Sequence, residues 1–252
     1  MSLIHRFFEP VNGMEKCNRK EYQHLKHYHK SFTVLSEINN QSIYVIDYYK
    51  KTFNYVSPHP LFLCGYKVEQ VKNWGFEYFE KVVPPEDLIM ALEISDSGFR
   101  FFYELPLEAR TRCYLSYDFR LKRPDGKMIL VNHCVYPFQL TPNGDMWLAL
   151  CVVTLSTKQH PGNVVITMLD KPFKYKYSFE SKKFRLLEIA RLSDREKDVF
   201  RYMIAGYTEV QTAVELFVDI NTVKYHKRNI FEKTGAKNNK QAISMAGGQE
   251  IV

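Results

Sequence analysis

Few of the signatures that mark enzymes, metalloproteins or membrane proteins occur in this chain. Its 252 residues hold only five cysteines, Cys17, Cys64, Cys113, Cys134 and Cys151, and no C-x-x-C pair. That spacing leaves no zinc-ligand pairs, and an odd count argues against a closed disulfide framework, so a reducing compartment is expected. There is no G-x-x-x-x-G-K-[ST] loop, no H-E-x-x-H and no G-x-S-x-G elbow, which removes the usual phosphate-cradling, metalloprotease and serine-hydrolase chemistries. The most apolar stretch, Met146 to Leu155, is about half as long as a bilayer span requires. The opening residues Met1-Ser2-Leu3-Ile4-His5-Arg6 have no signal-peptide pattern. His24, His27 and His29 flank Lys26 without a nearby Cys or carboxylate set, so no metal is expected there. A soluble, cytoplasmic, non-enzymatic protein is the expectation.

What the chain does have is positive charge, unevenly placed. The net charge is +7. Residues 41–156 carry 12 basic and 13 acidic side chains, and residues 157–191 carry 8 and 3. Between Lys224 and Lys240 six basic groups face a single acid, Glu232. A polyanionic partner would be drawn to this distribution.

The basic cluster lies in a run with helical periodicity. Val223, His226, Ile230 and Thr234 share one face, and Asn221, Lys224, Tyr225, Arg228 and Glu232 share the opposite one. Asp219 is placed to cap the start, and Gly235 to end the helix in the left-handed conformation. Upstream, Ser193-Asp194-Arg195-Glu196 and Thr208-Glu209-Val210-Gln211 read as capping boxes that open two further helices. A fourth begins near Asn238. Short helices joined by a tight turn, the later one basic on its free side, describe a helix-turn-helix.

The stretch Leu192 to Ala242 also resembles the LuxR-type (GerE-like) DNA-binding domain. Leu192-Ser193-Asp194-Arg195-Glu196-Lys197-Asp198-Val199-Phe200, Thr222-Val223-Lys224-Tyr225-His226 and Asn229-Ile230-Phe231-Glu232-Lys233-Thr234 follow that family's blocks at its spacing. The resemblance implies base contacts from Lys224, Tyr225 and Arg228, and phosphate contacts from Thr208, Thr222, Lys227 and Lys240. Its implied partners are double-stranded DNA, a second copy of the chain in a homodimer, and RNA polymerase as a candidate; no membrane is implied. The departures are Glu209 where the family has Asn, Thr212 where it has a buried Ile, Thr234 for Leu and Lys240 for Arg.

In the middle of the chain the period changes to two. Cys113 to Lys122 alternates cleanly, Pro124-Asp125-Gly126 turns it into Lys127 to Phe138, and Pro142-Asn143-Gly144 turns that into Met146 to Leu155. Ser42 to Tyr48 and Phe53 to Ser57 read as two earlier strands, with helices near Val68 to Trp74 and Glu86 to Ser95 between the groups. With Gly65-Tyr66-Lys67-Val68-Glu69-Gln70-Val71, Val83-Pro84-Pro85-Glu86-Asp87 and Arg123-Pro124-Asp125-Gly126-Lys127, residues 40–156 resemble a PAS sensor domain. The resemblance implies either a small ligand between sheet and helices or a dimerisation role. The cofactor is unknown; the aromatic composition suits a small apolar or aromatic ligand. Cys64 lies outside the flavin-photosensor sequence context, so no covalent flavin is expected. His133 and Trp74 are candidate pocket residues, with core packing as the competing reading.

The expected organisation is therefore α+β: a helical segment at 1–39, a PAS-like five-stranded antiparallel sheet with helices at 40–156, a basic β-hairpin connector at 157–189, and an all-α four-helix helix-turn-helix domain at 190–252. In the leading segment Leu25, Tyr28, Phe32 and Leu35 form an apolar seam that either covers the sheet or dimerises. The functional expectation is a one-component DNA-binding transcriptional regulator. The rival is a PAS-based protein-interaction module whose helix-turn-helix no longer binds DNA, which Glu209 and Thr212 would favour.

Overall fold

The computed structural model describes residues 3–11, 19–171, 173–188, 192–234 and 236–246. They fall into two compact units, 1–187 and 188–252. Gly235, expected to end the basic helix, lies outside the described residues.

The first unit opens with a 3-10 helix, Leu3–Val11, and helix α1, Arg19–Ile38. Strands β1 (Ser42–Asp47) and β2 (Thr52–Val56) come next. Five helices then intervene: α2 (Pro60–Leu63), α3 (Val68–Trp74), α4 (Glu77–Val82), α5 (Pro85–Glu104) and α6 (Leu107–Arg110). The meander β3 (Cys113–Lys122), β4 (Met128–Leu140) and β5 (Met146–Leu155) follows, turned where Pro124-Asp125-Gly126 and Pro142-Asn143-Gly144 place it. The two strands, intervening helices and three-stranded meander expected over residues 40–156 are all present.

The strand count corrects the expectation. Among the described residues the sheet has eight strands, in the order β2-β1-β5-β4-β3-β6-β7-β8, because β6 (Gly162–Met168), β7 (Phe173–Ser178) and β8 (Lys183–Glu188) extend it past β3. The residues read as a hairpin connector therefore belong to the sheet. β6 pairs antiparallel with β3, Cys113 opposite Met168 and Leu115 opposite Ile166, so the outer edge of β3 is not left with unpaired backbone groups. Tyr177 of β7 is buried and its hydroxyl lies 3.0 Å from Ser97 Oγ and donates to Glu93 Oε1 at 2.9 Å, both on α5.

One sheet face buries Tyr44, Ile46, Tyr117, Phe119, Val131, Ala149, Cys151 and Val153 in the main core beside residues of α2 to α5. The other receives α1, whose Leu25 and Phe32 pack with Ile43, Val45, Tyr55 and Leu148. Tyr28 and Leu35 of the expected seam remain substantially exposed. Helix α5 runs well beyond Ser95, through Gly98, because Ile94, Phe99 and Phe102 bury one face of it. A Cβ at Gly98 would stand 3.2 Å from Leu115 Cδ2, so glycine permits the close approach of α5 to β3.

Asp87 in the first turn of α5 ties that helix to β3. Its carboxylate accepts from Arg120 N, Nε and Nη2 at 2.7, 3.0 and 2.6 Å. Removing the guanidinium leaves a buried carboxylate with one backbone donor, and partial exposure of Arg120 moderates the loss. Arg120→Ala is expected to destabilise this unit by about 2 kcal/mol in urea unfolding, with Arg120→Lys recovering only part because one ammonium cannot reproduce the fork.

The second unit is α7 (Asp194–Ile204), α8 (Glu209–Glu215), α9 (Ile220–Thr234) and α10 (Asn239–Ala246). Both capping boxes form: Ser193 with Glu196, and Thr208 with Gln211. Gly206, with φ +82°, follows α7 and allows the reversal into α8. Leu192, Val199, Phe200, Met203, Ala213, Val223, Ile230, Ala236 and Ala242 make the core.

Candidate nucleic-acid interface and sheet-domain cavity

Helix α9 is capped as expected, Asp219 Oδ1 accepting from Asn221 N at 2.7 Å. Its Val223 and Ile230 are buried against α7 and α8, while Lys224, Tyr225 and Arg228 stand exposed on the free face. The Arg228 guanidinium lies 5.6 Å from the Tyr225 ring centroid and 3.9 Å from Glu232, a loose arrangement that leaves its donors available. The three residues assigned to base contacts are thus brought together on one accessible surface of one helix.

The four phosphate-assigned residues are less uniform. Lys240 is exposed on α10, and Thr222 is half-buried in the first turn of α9. Thr208 is the N-cap of α8; its hydroxyl donates to Gln211 Oε1 and accepts from Gln211 N. Lys227 reaches back to α8, where its Nζ donates to Glu209 Oε1 at 2.7 Å. That hydrogen bond holds the Glu209 carboxyl below its usual range, and Lys224 adds to the effect. The pairing was not foreseen, because the two residues are 18 positions apart on different helices.

The threonines that depart from the family pattern find local partners. Buried Thr212 donates to Thr208 O at 2.9 Å, and Thr234 donates to Ile230 O at 2.7 Å. Their hydroxyls therefore do not go unsatisfied, which removes most of the desolvation cost of placing them there. Glu196, whose capping role was legible, also accepts from Lys233 Nζ at 2.7 Å. Burial raises its pKa, but Lys233 and Ser193 outweigh that and lower it.

Residues 190–246 match the family of bacterial regulatory proteins, luxR family (GerE). The spore germination protein GerE of Bacillus subtilis is 36% identical over 52 residues, 21% of this chain and 70% of that protein. The chain belongs to the LuxR family. The CsgBAC operon transcriptional regulatory protein of Escherichia coli is 38% identical over 64 residues, 25% of this chain and 30% of its own length. The chain thus spans under a third of that relative. A dimer of Vibrio cholerae VqmA, solved without target DNA, aligns over 86% of this chain and 88% of its own at 16% identity and a TM-score of 0.32; so loose a superposition supports no inference.

The sheet unit of this LuxR-family chain holds a cavity of about 90 Å³ between the sheet and α5, walled by Tyr44, Phe79, Phe99, Tyr117, Phe119 and His133 among others. His133 is 3% exposed. Its Nε2 lies 2.6 Å from the Tyr44 hydroxyl, and its Nδ1 is buried with no hydrogen-bond partner among the described residues. Burial drives the pKa of His133 down to about 3, so the ring is neutral at physiological pH. Trp74, the other candidate, packs instead against Tyr66 and Tyr78. Cys64 is buried, caps α2 in a left-handed conformation and donates its thiol to Leu61 O.

No helix among the described residues is long and apolar enough to cross a membrane, and none of those residues form a group of three or more His, Cys, Asp or Glu side chains able to hold a metal ion.

Proposed function

We propose that this chain is a DNA-binding transcriptional regulator rather than an enzyme, acting as a homodimer whose α9 enters the major groove. The observation that carries this reading is the sorting of α9: Val223 and Ile230 fixed in the core, Lys224, Tyr225 and Arg228 presented together outside it. Lys and Arg on one exposed helix face are suited to guanine edges and a Tyr to apolar or edge contact. The regulatory names of its relatives agree with it. A two-fold pair would place two such helices on half-sites one turn apart.

Sedimentation with duplexes selected from a random pool tests the stoichiometry: two chains per palindromic duplex are expected, and one per duplex at saturation would refute the dimer. In the same system Lys240→Ala is expected to weaken binding evenly across sequences and to flatten the salt slope by about one unit, as loss of one phosphate contact should. A sequence-dependent loss would move Lys240 out of the phosphate-holding set.

The sheet unit is read as the sensor. The unpartnered His133 Nδ1 favours a neutral, small, largely apolar ligand with one hydrogen-bonding group, because the aromatic wall offers no counter-charge for an ion. Native mass spectrometry of the protein from its own host, before and after denaturation, tests this. A bound small molecule lost from His133→Phe supports sensing. A clean apo mass, with no thermal shift across a library of neutral heterocycles and carbonyl compounds, leaves the unit as a dimerisation element.

A further inference from the structure

Glu209 is the first residue of α8, on the side of the helix-turn-helix that meets α9. Its carboxylate oxygen stands 2.7 Å from Lys227 Nζ, the contact distance a phosphate oxygen would use. Lys227 is largely sheltered, its side chain 20% exposed, and Glu209 is 33% exposed. The pair is therefore neither a floating surface contact nor fully sealed from solvent. Lys224 of the proposed reading face also acts on the same carboxylate. One acidic group thus sits in the field of two cations on which the DNA reading depends.

We propose that Glu209 is a built-in competitor for the DNA backbone: it occupies Lys227 in the way a phosphate would and holds down the affinity of this domain for any duplex. The proposal rests on the DNA-binding reading above. A paired lysine contributes almost no net charge to counterion release, so the free protein carries one fewer effective phosphate contact than its lysines suggest. Binding must either break the pair or bring a phosphate up against a carboxylate. Both raise the dissociation constant irrespective of base sequence. Weak nonspecific binding leaves occupancy of the target to the dimer, where two weakened halves add, rather than to single chains on random DNA.

The experiment compares wild type, Glu209→Gln, Lys227→Gln, the double variant and Glu215→Gln on random-sequence and selected duplexes across a salt series. Gln at 209 retains an oxygen for Lys227 but no charge. Glu215, exposed at the other end of α8, controls for the change in net charge. Glu209→Gln is expected to tighten binding to both duplexes by about 5- to 10-fold near 0.1 M salt and to steepen the salt slope by about 0.9. Lys227→Gln added to it should cancel the gain, and Glu215→Gln should do little. Equal tightening by Glu215→Gln would overturn the proposal as a bulk-charge effect. Weaker binding by Glu209→Gln would overturn it by showing that the carboxylate aims Lys227 at DNA. Absence of salt-dependent binding in every variant would overturn the DNA reading as well, whereas wild-type binding with an unmoved Glu209→Gln would overturn only this inference. Matching melting curves for wild type and Glu209→Gln exclude misfolding as the cause.

Discussion

The Lys224→Ala/Arg228→Ala variant is expected to lose about thirtyfold or more in affinity for the duplex that the wild type selects from a random pool, and far less for random duplex. Each charged side chain well paired to a base edge contributes roughly 1–3 kcal/mol of discrimination, and separated positions contribute nearly additively. Two such losses come to about 2–6 kcal/mol. Both side chains are exposed, so their removal leaves the α9 core contacts of Val223 and Ile230 intact, and the melting temperature should hold. Arg228→Ala alone should relax preference at one base position. Equal losses on selected and random duplexes would show that α9 holds phosphates and reads nothing. Failure of the wild type to enrich any sequence would favour the interaction-module reading.

What could be read from the residues was whatever depends on neighbours. Ser193 with Glu196 and Thr208 with Gln211 are three positions apart, and both boxes form. The 3.5-residue recurrence of Val223, His226 and Ile230 identified the inward face of α9 because burial there follows helix geometry. Pro124-Asp125-Gly126 marked the β3–β4 turn for a similarly local reason. The failures are non-local. Alternating Lys and Tyr at 174–177 looks the same whether a hairpin stands free or joins a sheet; only the pairing of β6 with β3, Cys113 with Met168, decides it. Ser95-Asp96-Ser97-Gly98 suggests a helix end, yet burial of Ile94, Phe99 and Phe102 carries α5 through it. His133 was visible as a candidate, but its partner Tyr44 lies 89 positions away. Nothing local announces that one nitrogen would be satisfied and the other not.

That neutral His133 should also make the sheet unit acid-labile in a particular window. Its pKa in the folded chain is depressed to about 3 from an ordinary 6.5, with burial as the cause. Below pH 6.5 the unfolded chain takes up a proton that the folded chain refuses. The stability this histidine contributes is therefore complete above pH 6.5 and is lost as pH falls toward 3. One pKa unit corresponds to about 1.4 kcal/mol, so roughly 2 kcal/mol should be gone by pH 5. The groups facing the ring do not blur this window: burial raises Tyr44, Tyr117 and Cys151 above their already high values, so all three stay neutral throughout. Both tryptophans, Trp74 and Trp147, belong to the sheet unit, which lets their fluorescence report on it separately. Urea unfolding of wild type and His133→Gln at pH 7.5, 6.5, 5.5 and 5.0 should show curves that separate by about 1.4 kcal/mol per pH unit below 6.5. Parallel curves would mean that His133 is protonated in the folded chain. An imidazolium would then have to find an anion in the cavity, and the ligand class that fits would change from neutral to acidic.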